Sequence, residues 1–120
     1  AAHYKLDNLC IIVDINGLQI DGRTCDVMNT EPVDAKFAAF GCDVVKVNGH
    51  DFQELEDAFA KFHANHGTGK PTAILMATTK GKGVSYMENQ AGWHGKAPND
   101  QEYEQAMGEL KAQLAEVEGM

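Results

Sequence analysis

The chain has 120 residues, of which 43% are hydrophobic; this is enough for one folded domain and unlike the composition of a disordered protein. Its 18 acidic and 10 basic side chains give a formal net charge of −8, which argues against nucleic acid as a main partner. No signal-peptide pattern opens the sequence and no apolar run is long enough to cross a bilayer, so we expect no membrane partner.

The cysteines are odd in number and form no Cys-x-x-Cys pair; they are Cys10, Cys25 and Cys42. Thiols without a disulfide framework are typical of proteins in reducing compartments. We therefore expect a cytoplasmic protein in which the cysteines pack as small hydrophobic side chains.

The first predicted strand covers residues 9–13, a continuous apolar run that is rich in branched side chains. Such a run is typical of a strand that is covered on both faces. A helix is predicted next, with Thr30 as its cap. Phe37 and Phe40 would form its apolar face, and Gly41 would end it.

A second strand is predicted over residues 43–47, followed by a helix that begins at Asp51 with a capping box to Glu54. The apolar stripe of that helix consists of Phe52, Leu55, Phe59 and Phe62. A third strand covers residues 71–77 and starts with proline, where a missing backbone donor does least harm. A last helix is predicted to begin near Asn99. Its apolar stripe consists of Tyr103, Met107, Leu110, Leu114 and Val117.

Strands that alternate with helices predict an α/β fold, in which a parallel sheet is built from β-α-β units. Ligands bind such sheets beyond the carboxyl ends of the strands. Two segments follow predicted strands directly, residues 14–22 and residues 78–98. The second segment is rich in glycine, lacks periodicity, and is long enough to be interpreted as a functional loop.

Basic side chains are concentrated between residues 67 and 98, where Glu88 is the single acid. The basic side chains there are Lys70, Lys80, Lys82 and Lys96. This pattern has two interpretations that the residues alone leave open. One is a solvated surface, and the other is a site for an anionic small molecule.

Four blocks of sequence, in this order, resemble transketolase: residues 2–9, 13–22, 80–84 and 93–98. They contain AHYKLDNL, VDINGLQIDG, KGKGV and WHGKAP. The first two blocks are similar to the second half of the family's thiamine diphosphate motif, and the last is similar to its histidine block. The resemblance implies that residues 1–120 form a partial thiamine diphosphate-binding domain, from which the upstream segment with Gly-Asp-Gly is absent.

The resemblance also implies that the chain helps to bind thiamine diphosphate and magnesium. The side-chain oxygen of Asn16 and the backbone carbonyl of Leu18 would be magnesium ligands, because this ion prefers hard oxygen atoms. Ile20 would press on the rings of the cofactor, and Lys80 would lie near the diphosphate or the substrate. Without the resemblance, Asn16 is interpreted as a turn residue before Gly17. In the same way, Ile20 would be ordinary packing and Lys80 a solvated lysine.

His94 is the catalytic residue that the resemblance implies. The matching histidine of the family contacts the diphosphate and a substrate oxygen, so His94 would meet both cofactor and substrate. That placement suits a donor of hydrogen bonds to charge that develops in the transition state. Lys96 is a second candidate for substrate contact, since it could meet a sugar phosphate. The alternative for His94 is a loop histidine packed on Trp93.

We expect no zinc site at His63 and His66, because no third ligand is evident.

Several parts of the family's active site are expected to lie outside this sequence. Only fifteen residues precede Asn16, and they do not contain the Gly-Asp-Gly whose aspartate would be a further magnesium ligand. The family's upstream substrate histidines and its downstream glutamate domain are missing as well. We therefore expect the isolated chain to be inactive and to bind thiamine diphosphate weakly or not at all.

The function implied by the resemblance is transfer of a two-carbon ketol unit between phosphosugars. The expected small-molecule partners are phosphosugar substrates. The chain is also expected to form a homo-oligomer or to assemble with chains that supply the rest of a transketolase. One alternative is another thiamine diphosphate enzyme, such as a deoxyxylulose phosphate synthase, against which the Trp-His-Gly-Lys block argues. The other alternative is a non-catalytic binding module that retains the fold.

Overall fold

The three parallel strands of the structure are separated along the chain by helices, as the sequence predicted. It is a computed structural model, and it describes residues 1–119. In chain order its elements are β1 (Cys10–Ile15), β2 (Leu18–Gln19), β3 (Gly22–Arg23), α1 (Thr24–Val27), α2 (Val33–Ala39), β4 (Asp43–Asn48), α3 (Phe52–Ala64), β5 (Thr72–Ala77), a 3-10 helix (Ala91–His94) and α4 (Asp100–Glu118). Within residues 1–119, no helix has the length and apolar character needed to cross a membrane.

The chain forms two compact units. The first contains Ala1–Asn16 and Met28–Thr78, and the second contains Gly17–Val27 with the described residues from Thr79 onward. The first unit carries β1, β4, β5, α2 and α3. The second unit carries the β2–β3 hairpin, α1, the 3-10 helix and α4.

The sheet of the first unit is parallel, with the strand order β1-β5-β4. The central strand β5 pairs with both neighbours, and its residues from Thr72 to Leu75 are buried. The sequence predicted that the first strand, β1, would be covered on both faces. In the structure the strand that is covered in this way is β5. β1 lies at an edge of the sheet, and its Ile12 is 51% exposed. The prediction for β1 was wrong because composition does not distinguish a central strand from an edge strand.

Helix α2 is confirmed, but its start differs from the prediction. The N-cap is Pro32, which makes no side-chain capping bond, and Thr30 lies outside the helix. Phe40 is the C-cap and is 75% exposed, so it does not belong to a buried face. Gly41 follows in the left-handed region at φ +88°, a conformation that glycine adopts without steric cost, and it ends the helix as predicted.

Helix α3 begins at Asp51, whose carboxylate accepts a hydrogen bond from the Glu54 amide at 3.0 Å. The predicted second half of the capping box is not formed. Instead, the Glu54 carboxylate accepts a hydrogen bond from the Asn48 amide at 2.7 Å. This bond ties the first turn of α3 to the end of β4, so the start of the helix and the end of the strand are held together.

The core of the first unit lies between α3 and the sheet, where it consists of Val45, Val47, Ala58 and Ile74. Partly buried Cys10, Leu55 and Met76 pack against it. The inner face of α3 therefore centres on Ala58, a residue that the predicted stripe did not contain. Phe52 was predicted to lie on the buried stripe, but it is 85% exposed. The stripe was wrong at this end because Phe52 is the first residue of the helix and lies away from the packing face.

The carboxyl ends of the three parallel strands are joined by hydrogen bonds. The Thr78 amide donates to the Ile15 carbonyl at 3.2 Å, and the Thr78 hydroxyl donates to the Asp14 carboxylate. On the other side, the Gly49 amide donates to the Ala77 carbonyl at 2.8 Å. A Cβ atom at Gly49 would lie 2.5 Å from the Thr78 Cγ2 atom, so glycine is required here for close approach.

In the second unit, α4 begins with a complete capping box between Asn99 and Glu102, close to the predicted position. The predicted apolar stripe is not a buried face, because its members Tyr103, Leu110, Leu114 and Val117 are between 41% and 68% exposed. Ala106 is the buried residue of this helix. The β2–β3 hairpin and the 3-10 helix were not predicted, since each is too short to show periodicity.

The close approach of Gly49 to Thr78 predicts that replacing glycine with alanine lowers stability at Gly49 and raises it at Gly108. Gly49→Ala should lower the free energy of unfolding by about 1–3 kcal/mol, because the new methyl group must displace Thr78. Gly108 is the control, since it lies inside α4 with open space around its Cβ position. Gly108→Ala should raise stability by up to about 1 kcal/mol. Denaturant unfolding measures both, and equal stability of the two variants would contradict the packing at Gly49.

Candidate functional site

Asn16 directly follows β1, at the carboxyl edge of the first unit's sheet. The strand before it is fixed there by the hydrogen bonds that Thr78 makes to Ile15 and Asp14. The Asn16 side chain is half-buried. The structure therefore places Asn16 where ligands of parallel sheets bind, beyond the end of a strand.

The next residues form a tight hairpin in the second unit. Gly17 has φ +72°, and its carbonyl accepts hydrogen bonds from the amide of Thr24 at 2.9 Å and from its hydroxyl at 3.3 Å. Leu18 is half-buried and pairs with Arg23 across the hairpin. Ile20 lies between the two hairpin strands and is 59% exposed. Ile20 is therefore outside the core, and both cofactor contact and ordinary packing after the turn stay predictions for it.

The donor chemistry of this segment fits magnesium. Asn16 offers a neutral amide oxygen and Leu18 a backbone carbonyl oxygen, and both are hard donors of the kind that this ion prefers. Neither adds negative charge beside a diphosphate. Among residues 1–119 there is no group of three or more His, Cys, Asp or Glu side chains suited to hold a metal.

The segment that follows β5 is a series of tight turns rather than a structureless loop. The Val84 amide donates to the Gly81 carbonyl at 3.2 Å, and the Asn89 amide donates to the Lys80 carbonyl at 3.0 Å. A Cβ atom at Gly81 would lie 2.6 Å from the Met87 carbonyl oxygen, so a side chain there would break the turn. The sequence suggested an irregular loop because turns built on glycine show no hydrophobic period. Lys80 is half-buried where these turns begin.

Helix α4 holds these turns through two polar side chains. The Glu109 carboxylate accepts hydrogen bonds from the Ser85 hydroxyl at 2.6 Å and from the Ser85 amide at 2.7 Å. Gln113 Nε2 donates to the Gly83 carbonyl at 2.8 Å. The Ser85 hydroxyl, followed by Gln105 and the Ser85 amide, holds the pKa of Glu109 below its usual range. The segment that carries Lys80 is thereby attached to a long helix.

His94 is the last residue of the 3-10 helix, and its side chain is exposed. The neighbouring Trp93 is half-buried, and its Nε1 atom donates to the Tyr86 carbonyl at 3.1 Å. The Tyr86 and Trp93 rings have centroids 5.2 Å apart. Trp93 therefore contacts Tyr86, and the alternative for His94, packing on Trp93, stays a prediction.

Lys96 is engaged within the second unit. Its Nζ atom lies 2.7 Å from the Glu102 carboxylate and 4.1 Å from the centroid of the Trp93 ring. The hydrogen bond from Lys96, followed by one from the Asn99 amide, lowers the pKa of Glu102. A sugar phosphate that met Lys96 would share its ammonium group with Glu102.

The structure thus divides the predicted site residues between the two units. Asn16 belongs to the first unit, and Leu18, Ile20, Lys80, His94 and Lys96 belong to the second. Sequence reasoning missed the residues that hold these segments, which are Tyr86, Glu102, Glu109 and Gln113. The spacing of Asn99 and Glu102 was one available sign, because it is the spacing of a capping box.

Comparisons with known proteins identify the family of this chain. Residues 1–115 match the family model described as transketolase, thiamine diphosphate binding domain. The chain is 44% identical over 111 residues to one subunit of an apulose-4-phosphate transketolase from Actinobacillus succinogenes, covering 92% of this chain and 39% of that protein. It is 43% identical over 116 residues to the subunit of the same name from Phocaeicola vulgatus, covering 96% and 40%. The chain therefore spans about 40% of the length of these relatives.

A solved structure shows the same fold. The crystal structure of transketolase from Campylobacter jejuni has a TM-score of 0.76 and is 31% identical, covering 88% of this chain and 16% of that one. The predicted α/β class with a parallel sheet is confirmed.

The lowered pKa of Glu109 predicts a pH-dependent turn. A carboxylate with a depressed pKa contributes its hydrogen bonds above the ordinary pKa range and loses them as the pH falls through the lowered value. Hydrogen exchange at the Ser85 amide should therefore lose protection on acidification in the wild type. Glu109→Gln should lack this titration and show low protection at neutral pH. The matched control is Glu104→Gln on the same helix, and equal Ser85 protection in all three proteins would contradict the contact.

Proposed function

Because the chain belongs to the transketolase thiamine diphosphate-binding domain family, we propose that it forms part of an enzyme that transfers a two-carbon ketol unit between phosphosugars. The observation that carries this proposal is the family match over residues 1–115, which includes the segments around Asn16, Lys80 and His94. When bound, thiamine diphosphate supplies the electron sink for carbon–carbon cleavage. The contribution of this chain is to bind, to orient and to donate hydrogen bonds.

We infer that Asn16 and Leu18 provide two oxygen ligands to the magnesium ion. The support is their chemistry and their position at a turn beyond β1, with Gly17 in the left-handed region between them. A neutral amide and a carbonyl leave the ion's charge to be balanced by the diphosphate. Ile20, on the exposed tip of the hairpin, would contact the rings of the cofactor.

Three side chains of the second unit are proposed to meet the anionic ligands. Lys80 would face the diphosphate or the substrate, where a compact ammonium group suits phosphate oxygens. His94 would contact the diphosphate and a substrate oxygen, and it would donate a hydrogen bond to charge that develops there. Lys96 is proposed to reach a sugar phosphate while it remains beside Glu102.

We propose that the activity requires an assembly. Two relatives of this chain are named as single subunits of a transketolase, which supports a further chain in the complete enzyme. The predicted forms, a homo-oligomer or an association with chains that supply other transketolase segments, both fit such an assembly. Phosphosugars are the proposed substrates, and the name apulose-4-phosphate transketolase of these two relatives supports that class.

The magnesium proposal predicts a specific loss in the assembled enzyme. Asn16→Ala should weaken magnesium-dependent binding of thiamine diphosphate by at least roughly 10- to 100-fold, because loss of even an outer-shell partner has that effect on metal affinity. Asn16→Asp keeps an oxygen at the position and should retain more affinity. Calorimetric titration across magnesium concentrations measures the effect, with Gln101→Ala as the control, since Gln101 is an exposed amide outside the four blocks. An unchanged affinity in Asn16→Ala would remove this residue from the metal site.

The role of His94 predicts a different kind of loss. His94→Ala should lower kcat about 10²- to 10³-fold, the cost of one donor to a developing charge, and should weaken cofactor binding much less. His94→Gln should recover part of the rate because it keeps a donor. A coupled assay of two-carbon transfer measures kcat, with His63→Ala as the control, since His63 is an exposed histidine outside the four blocks. Wild-type turnover in His94→Ala would mean that this histidine does not act on the reaction.

A further inference from the structure

Four residues of the second unit form a closed ring of contacts, which we call the Glu102 ring: Tyr86, Trp93, Lys96 and Glu102. The Tyr86 hydroxyl donates to the Glu102 carbonyl at 2.6 Å. The Glu102 carboxylate pairs with Lys96, and the Lys96 ammonium lies over the Trp93 ring. The Trp93 Nε1 atom completes the ring by its hydrogen bond to the Tyr86 carbonyl. Each residue therefore contacts two others.

Glu102 joins this ring to the first turn of α4. One carboxylate oxygen accepts from Lys96, and the other accepts from the Asn99 amide at 2.8 Å. The Glu102 amide donates to the Asn99 side chain at 2.9 Å. Glu102 therefore connects the start of α4 to the histidine block through its carboxylate, and to the turns after β5 through its backbone carbonyl.

His94 lies in the chain between Trp93 and Lys96, two members of the ring. The 3-10 helix that ends at His94 has only four residues, none of them buried. Such a short element has little core packing of its own. Its position depends on the contacts that its neighbours make, and those contacts are the Glu102 ring.

We propose that Tyr86 and Glu102 are positioning residues for His94. The ring fixes the backbone on both sides of the histidine against the first turn of α4, so that its side chain is presented in one place. The inference rests on the proposed function, in which His94 acts on the substrate. Orientation matters in that role, because small misplacements of a catalytic group reduce the rate steeply.

The most specific test removes one hydroxyl group. In the assembled enzyme, Tyr86→Phe should lower kcat by about 3- to 10-fold, with the substrate KM nearly unchanged, as expected for the loss of one hydrogen bond. The matched control is Tyr103→Phe, which removes an exposed hydroxyl from the residue after Glu102. Unchanged kcat in Tyr86→Phe, or a raised KM with unchanged kcat, would overturn the proposal.

A second readout does not depend on activity. Trp93 is the sole tryptophan of the chain, so its fluorescence and its indole N–H resonance report on the ring alone. Both should change in Tyr86→Phe and in Glu102→Gln, and neither should change in Tyr103→Phe. Glu102→Gln keeps one acceptor oxygen for two donors, and it should lower kcat in the same direction. Unperturbed Trp93 signals in both ring variants would overturn the proposal.

A double variant separates this proposal from the proposed function. If Tyr86 acts through His94, adding Tyr86→Phe to His94→Ala should cause no further loss of kcat. A further loss of the full 3- to 10-fold would overturn the positioning role. Wild-type turnover in His94→Ala would instead contradict the catalytic role of His94 within the proposed function, and the inference would fall with it.

Discussion

The burial of β5 between β1 and β4 is the constraint on which the first unit depends. Residues Thr72 to Leu75 are covered on both faces and paired on both edges. Complete burial of an aliphatic side chain such as Ile74 stabilises a fold by about 1.5–3 kcal/mol. Because β5 is fixed, the ends of its two neighbours are fixed in register, and the Asn16 segment leaves the sheet at a defined point. A site beyond the strands can therefore be held without being part of the core.

In the second unit, polar contacts to α4 act beside a small set of buried hydrophobic residues that includes Val84 and Ala106. Ala106 is the buried residue of that helix, whereas Glu102, Glu109 and Gln113 each hold a segment by hydrogen bonds. Polar contacts are directional, and here they fix the turns that carry Lys80.

The sequence predicted the class of the fold and the order of its main strands and helices, because hydrophobic periodicity is a local property. It did not predict that β5 is central and β1 peripheral, since sheet order depends on contacts between distant residues. The same limit applies to the site. Asn16 and His94 were predicted from their resemblance to a family motif. Tyr86 and Glu102 were not predicted, because the contact between them joins residues that are sixteen positions apart in the sequence. Phe52 and Phe40 were misplaced because spacing alone does not show which side of a helix faces the sheet.

Asn16 and Leu18 are the proposed oxygen ligands of the magnesium ion that would bind with thiamine diphosphate. A crystal structure of the assembled enzyme, grown with thiamine diphosphate and with Mn²⁺ in place of magnesium, tests this proposal most directly. Anomalous scattering locates the ion without reference to any assumed geometry. We expect a single anomalous peak for Mn²⁺, at bonding distance from the Asn16 side-chain oxygen and the Leu18 carbonyl oxygen and beside the diphosphate. An ion that is bound to the diphosphate but to neither of these atoms would contradict this proposal.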